Sequence, residues 1–230
     1  MDGKIVSLLI DSFWKILLPG LKITIPLTVI TFAIGMVLAL FCAMVQITNV
    51  KVLSQISKFY IWIFRGTPLL IQLFIIFYGL PKLGILLDAF PAAVITFSLN
   101  IGAYNAEVMR AAILAVPVGQ MEAGYSVGMN YFQIMARIVL PQAFRIAFPS
   151  LSNNLISLNK DTSLAASITL GEMFLAAQRI AARTFEPLAL YCEVAFIYLI
   201  MSTVLAKLQT WGEKKLSVHE RRDNETGRPL

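Results

Sequence analysis

Positions 23 to 50, bounded by Lys22 and Lys51, hold no charged residue. The run includes "IPLTVITFAIGMVLALFCAMV", and about 20 apolar residues suffice to carry a helix across the hydrocarbon of a bilayer. A helix satisfies its own backbone polar groups, which is the condition lipid imposes on any segment that crosses it. Further runs follow at Phe59 to Leu80, Ala89 to Met109, Arg145 to Thr162 and Leu188 to Ala206. The fourth span is the weakest, interrupted by Pro149 and rich in Ser and Asn. The expectation is an all-α integral membrane protein with about five transmembrane helices. Composition agrees: 58% of residues are hydrophobic and only 14% charged, where a soluble domain needs about a quarter charged to wet its surface.

The same sequence weakens several function classes. Cys42 and Cys192 stand alone inside apolar runs with no Cys/His ligand spacing, which argues against a metal site or a disulfide. The single histidine, His219, lies in the charged end "KKLSVHERRDNETGRPL", which has no periodicity and reads as an unstructured tail over 213–230. No nucleophile, metal cluster or paired carboxylates emerge, so no catalytic residue is expected. The net charge of +6 is dispersed or terminal, a pattern that fits membrane topology and not nucleic acid. The N-terminus has no cleavable signal pattern. Residues 1–18 carry Lys4, Ser7, Asp11 and Lys15 on one helical face and Ile5, Leu8, Leu9 and Ile16 on another, as an interfacial helix does. Pro19-Gly20 is then expected to turn the chain into the membrane, an extension of the first span being the alternative. Eleven Lys and Arg fall on one side of the five spans and seven on the other. This asymmetry places the N-terminus outside and the C-terminus in the cytoplasm.

One insert, 117–141, does not belong to the lipid. "EAGYSVGMNYFQIMARIVLP" (Glu122 to Pro141) reads as helix, turn and helix. The first helix covers Val118 to Val127, Gly128 supplies the left-handed stop, and Asn130 with Gln133 forms a capping box for the second. Pro141 bends that second helix at the bilayer. Met121 and Tyr125 are apolar knobs one turn apart, and Ala123 with Gly124 lets another surface approach the backbone. From physics alone the segment is either a docking arm or an ordinary loop hairpin.

The spacing E-A-(A/G)-x3-G-x9-I-x-L-P, filled by Glu122, Ala123, Gly124, Gly128, Ile138, Leu140 and Pro141, resembles the EAA loop of the membrane subunits of bacterial ABC importers. The family usually has Ala where Gly124 stands. "FRGTPLLIQLFIIFYGLP", "AYNAEVMRAAI", "LPQAFR" and "KDTSLA" resemble its polar-amino-acid branch. "SLSNNLISLNKDTSLAASI" with "AARTFEPLALY" looks most similar to the L-cystine importer permeases. The resemblance implies the type I importer permease fold over 19–212 and alternating access in the bacterial cytoplasmic membrane. It implies a coupling helix, oriented by Glu122, that docks on a separate ATP-binding subunit present in two copies. Further partners are a second permease copy, identical or similar, and an extracytoplasmic solute-binding protein. ATP and Mg would sit in the partner, since no G-x-x-x-x-G-K-S/T occurs in this chain.

A polar cargo needs polar groups at depth. Ser150, Asn153, Ser157 and Asp161 recur at i, i+3, i+7 and i+11, one stripe down a helix, with Asn154 and Asn159 beside it and Thr162 and Ser163 at its end. In span three Ser98, Gly102, Asn105 and Met109 share one face, and Asn100, Tyr104 and Glu107 another. Gln72 and the Gly66-Thr67-Pro68 break complete the candidate pathway with Arg65, which is expected near the cytoplasmic end of span two, paired with Glu107 or open to a carboxylate. Two alternatives stay open: these Ser and Asn side chains bond neighbouring helices, and Glu107 pairs with Arg110 one turn away. Other amino acids such as arginine, glutamine or histidine, or another sulfur compound, also remain open as cargo, as does a stand-alone channel or sensor.

Overall fold

The computed structural model describes residues 2–48 and 50–225. Ten α-helices follow one another without a strand among the described residues. Helix α1 (Asp2–Pro19) runs through a π-turn into α2 (Ile25–Thr48), and the two form one apolar rod over Gly3–Thr48. The turn expected at Pro19-Gly20 is absent. Pro19 takes helical angles, φ −57° and ψ −35°, and Ser12 and Ile16 are buried against two later helices, Met173–Thr184 and Pro187–Glu225.

Helix α3 (Lys51–Gly66) and α4 (Leu69–Phe74) occupy the expected second span, but they are bent 108° from each other. The cause is local: Pro68 has no N–H to give, and its ring pushes Thr67 into an extended conformation, φ −122° and ψ 147°. After a 3-10 turn at Leu80–Leu83 comes α5 (Ala89–Leu114), about 39 Å long at 1.5 Å per residue. Short helices α6 (Val118–Ser126) and α7 (Tyr131–Ile134) form the arm. Helix α8 (Leu140–Asp161) passes through Pro149 without the expected interruption. A 3-10 stretch, Thr162–Ile168, leads to α9 (Met173–Thr184), and α10 (Pro187–Glu225) closes the chain. The tail read as unstructured is therefore helical as far as Glu225, because no Gly or Pro follows Gly212 until Gly227 and a helix already started extends at little cost. Residues 226–230 lie outside the described part.

Among the described residues three helices are long and apolar enough to cross a membrane, and four if the bent pair counts as one crossing. The remaining expected span, the third, is α5, which carries Ser98, Asn100, Asn105, Glu107 and Arg110 and is the more polar for it. It is also the helix most enclosed by the others, and its contact with α2 is the most extensive in the molecule. Lipid tails are as apolar as leucine, so close packing must hold such helices together. At the crossing Gly35 and Gly102 face each other: a Cβ on Gly102 would lie 3.3 Å from the Gly35 carbonyl oxygen, and one on Gly35 would lie 3.2 Å from the Gly102 nitrogen. Tyr60 fastens α3 to the same place, its hydroxyl donating to the Leu99 carbonyl at 2.5 Å.

Candidate functional site

The arm is built as its residues dictate. Gly128 sits at φ +82°, where a side chain would be strained. Its N–H donates to the Tyr125 carbonyl at 2.9 Å, and Met129 N–H donates to that of Gly124 at 3.0 Å, the paired bonds that close a helix end. Asn130 Oδ1 accepts from Gln133 N–H at 3.0 Å while Gln133 Oε1 accepts from Asn130 N–H at 2.9 Å. A π-turn at Met135–Val139 precedes α8, with Leu140 N–H reaching back to the Met135 carbonyl. Pro141 needs this widening, since a proline ring collides with the carbonyl four residues earlier in a regular helix.

Gly124 serves a different neighbour from the one its sequence context implied. It is buried, and the groups packed on it are Ile134 and Ile138 of the arm itself, 2.7 Å and 3.3 Å from where a Cβ would stand. The close approach is internal. Glu122, Ala123, Tyr125 and Pro141 face outward, and Glu122 has no ion pair among the described residues. Val127 and Phe132 are more exposed than Tyr125, Phe132 by 80%. Beneath α6 lies an apolar cavity of about 500 Å³ lined by Ile113, Val118, Met121, Tyr131, Met135 and Val139 among others. The first arm helix is thus gripped through Gly124, with Met121 packed on the neighbouring core and Gln120 accepting from Gln142 Nε2 at 3.4 Å.

The candidate pathway residues divide into three groups. Thr67, Gln72 and Asn100 belong to the bend. Gln72 Nε2 donates to the Phe64 and Thr67 carbonyls at 2.9 and 3.0 Å and to the Thr67 hydroxyl at 2.8 Å. Asn100 Nδ2 donates to Gln72 Oε1 at 3.0 Å. This cluster satisfies carbonyls freed by Pro68, a need that irregular backbone in a membrane cannot leave unmet.

Ser98 and Asn105 lie inside the bundle. Asn105 is fully buried, accepts from Asn154 Nδ2 at 2.7 Å and so ties α5 to α8, while the Ser98 hydroxyl has no partner among the described residues. Thr162 and Ser163 donate their hydroxyls to the Asn159 and Lys160 carbonyls at 2.7 Å each.

The open group is Arg65, Tyr104, Asn153 and Ser157, all exposed, with Asp161 half-buried. The expected Arg65–Glu107 pair is not formed. Glu107 binds Arg110 at 3.1 Å, and the Arg65 guanidinium lies 5.4 Å from the centroid of the Tyr104 ring. Its neighbour Phe64 meets Asn100, midway along α5, so Arg65 is deeper than the sequence indicated. The aromatic face accounts for this, since it attracts a cation without a counter-charge.

Sequence reasoning gave no site role to Glu172. Its carboxylate is fully buried at the start of α9, accepting from Phe174 and Leu175 N–H at 2.8 and 2.7 Å and from Tyr198 Oη at 3.0 Å. Burial pushes its pKa up against these hydrogen bonds. Glu is a less usual helix cap than Asp or Asn, so the local signal is weak.

Comparison with known proteins fits this geometry. The family model for the binding-protein-dependent transport system inner membrane component matches residues 35–218. Over 207 residues the chain is 50% identical to the L-cystine transport system permease protein TcyB of Bacillus subtilis (strain 168), covering 90% of this chain and 88% of that one. It is 42% identical over 205 residues to the probable amino-acid ABC transporter permease protein PatM of Vibrio harveyi, covering 88% and 92%. Among solved structures, an amino acid ABC transporter crystallised with histidines superposes with a TM-score of 0.78 at 31% identity, covering 93% of this chain and 96% of that one. The type I permease fold expected from the sequence is the one found. The arm, the bent span and the polar core are therefore parts of one known architecture, and the chain belongs to the family of inner membrane components of binding-protein-dependent transport systems.

Proposed function

We propose that this chain is the permease through which an ATP-driven importer passes an amino acid, with L-cystine as the cargo. As a member of its family it is a non-catalytic, multi-pass subunit of the inner membrane. The cargo rests on the 50% identity to a protein named for L-cystine transport. The N-terminus lies outside and the C-terminus in the cytoplasm, so that 117–141 projects into the cytoplasm. There each arm docks on an ATP-binding subunit, two in all, which hold ATP and Mg. An extracytoplasmic solute-binding protein delivers cargo to a pathway between this chain and a second, identical or similar copy.

The observation that carries the reading is the continuity from arm to membrane. Motion applied to α6 at Glu122, Ala123 and Tyr125 passes through Gly124 to Ile134 and Ile138. From there the backbone is helical into α8, whose exposed face bears Ser150, Asn153 and Ser157 and whose Asn154 holds α5. The decisive experiment is uptake of labelled cystine into proteoliposomes holding this chain, the ATPase and the receptor. Uptake that needs ATP, falls with unlabelled cystine and disappears in Gly128→Asp with loss of bound ATPase supports the proposal. Uptake without the ATPase supports a channel, and competition by arginine, glutamine or histidine in place of cystine reassigns the cargo.

A further inference from the structure

The geometry points to a binding site on α10 for the headgroup of an anionic phospholipid, of the kind that carries hydroxyl groups beside its phosphate. The inference rests on α10 crossing the membrane and not on the identity of the cargo. The apolar stretch of α10 covers Pro187–Leu216, and Lys207 is its first cation. Counting from Pro187, about 20 residues cross the hydrocarbon, which brings Lys207 to the level where headgroups begin. At that level a surface cleft of about 430 Å³ is lined by Thr203, Ala206, Lys207, Thr210, Trp211 and Lys214.

Each lining group fits such a headgroup. Trp211 is 63% exposed, an amphipathic ring placed where one edge meets lipid and the other water. The Lys215 ammonium lies 5.1 Å from the centroid of that ring, so a second cation is held beside the cleft. Among the described residues no carboxylate pairs with Lys207. The nearest acid in sequence, Glu213, accepts from Gln209, whose amide also reaches the Pro149 carbonyl on α8. The hydroxyl hydrogens of Thr203 and Thr210 are committed to the Leu199 and Ala206 carbonyls at 2.7 and 3.0 Å. The two threonines therefore present oxygen acceptors to the cleft. A bare phosphate has no use for these, but Thr210 lies one turn beyond Lys207 toward water, where the glycerol hydroxyls of phosphatidylglycerol donate to it while Lys207 holds the phosphate.

The test uses the full chain in bilayer nanodiscs with Trp14→Phe and Trp62→Phe, leaving Trp211 as reporter. Its fluorescence is quenched by phosphatidylglycerol or phosphatidylcholine brominated in the acyl chains. A lysine near an anionic surface favours it by about fivefold, so phosphatidylglycerol should quench at several-fold lower mole fraction than phosphatidylcholine. Lys207→Gln should cut that preference about fivefold, Lys207→Arg should keep it, and Lys58→Gln should leave it unchanged, with helical circular dichroism equal in all. Equal quenching by both lipids, or a preference that survives Lys207→Gln, overturns the site. Release by inorganic phosphate at constant ionic strength overturns the lipid assignment in favour of a free anion. Brominated phosphatidic acid quenching as well as phosphatidylglycerol overturns the role given to Thr210.

Discussion

Gly124 shows how much one hydrogen atom in place of a methyl group decides. In this chain a Cβ at that position would stand 2.7 Å from Ile134 Cγ1. Overpacking of this sort costs about 1–3 kcal/mol. Gly124→Leu should therefore lift α6 from its seat, raise protease sensitivity within 117–130 and abolish ATPase co-purification while leaving the thermal midpoint of the membrane body in place. Gly124→Ala should give the same effects in smaller measure, and combining it with Ile134→Ala should be less than additive, since the second change removes the obstruction the first one meets. Glu172 makes the opposite point, a charge-bearing group buried at a helix start. Glu172→Ala removes the acceptor for two backbone donors and strands the Tyr198 hydroxyl, so it should lower unfolding stability in detergent by about 2 kcal/mol. Because its pKa is raised on folding, the folded chain holds that proton more tightly than the unfolded one. The contribution is full below the ordinary glutamate range and is lost as pH rises through the raised value. Wild type should show this decline in unfolding stability and Glu172→Ala should not.

At the scale of elements, proline explains more than its helix-breaking reputation allows. The three π-turns among the described residues, Gly20–Thr24, Ile75–Gly79 and Met135–Val139, each end two residues before a proline, at Pro26, Pro81 and Pro141. In each case the wider turn moves the carbonyls of Lys22, Phe77 and Arg137 away from the ring that would strike them. That rule is what favours the alternative reading of the N-terminal segment, an extension of the first span, over a turn at Pro19-Gly20. What was legible was whatever neighbouring residues settle between themselves: the Gly128 stop, the Asn130–Gln133 box and the break at Pro68. What was not legible needs a partner distant in the chain. The 108° of the bend depends on Gln72 and Asn100 meeting across it, Arg65 on the ring of Tyr104, and Glu172 on Tyr198. The Gly35–Gly102 crossing is of this second kind. A Cβ on Gly35 would collide with Ile101 and press on the backbone of Ser98 and Gly102, which cannot rotate aside. Gly35→Ala should cost about 1–3 kcal/mol in unfolding stability by forcing α2 and α5 apart. Gly119→Ala, in α6 with nothing within 4 Å, should be neutral or stabilising by up to about 1 kcal/mol.

The whole molecule presents two sorts of exposed surface, and only one suits lipid. On α10 the outward residues include Phe196, Leu199, Ile200 and Val204. On α8 the part nearest the arm exposes Phe144 and Ile146, but beyond Pro149 the outward residues include Ser150, Asn153 and Ser157, without hydrogen-bond partners among the described residues. Polar groups left unsatisfied against hydrocarbon cost several kcal/mol each, so a stripe of them must face water or another protein. In the proposed dimer it faces an aqueous route between the two copies. Cysteine labelling separates the surfaces. With Cys42 and Cys192 replaced by Ala, Asn153→Cys and Ser157→Cys should react with a charged, membrane-impermeant thiol reagent. Leu199→Cys should not, although Leu199 is 62% exposed on the single chain. Reaction at Asn153→Cys should also change in rate when ATP is supplied to the assembled transporter, since access to the route alternates. If all three positions resist the reagent, in the presence and absence of ATP, the stripe on α8 lines no water-filled passage and the route for cargo must be sought on another helix face.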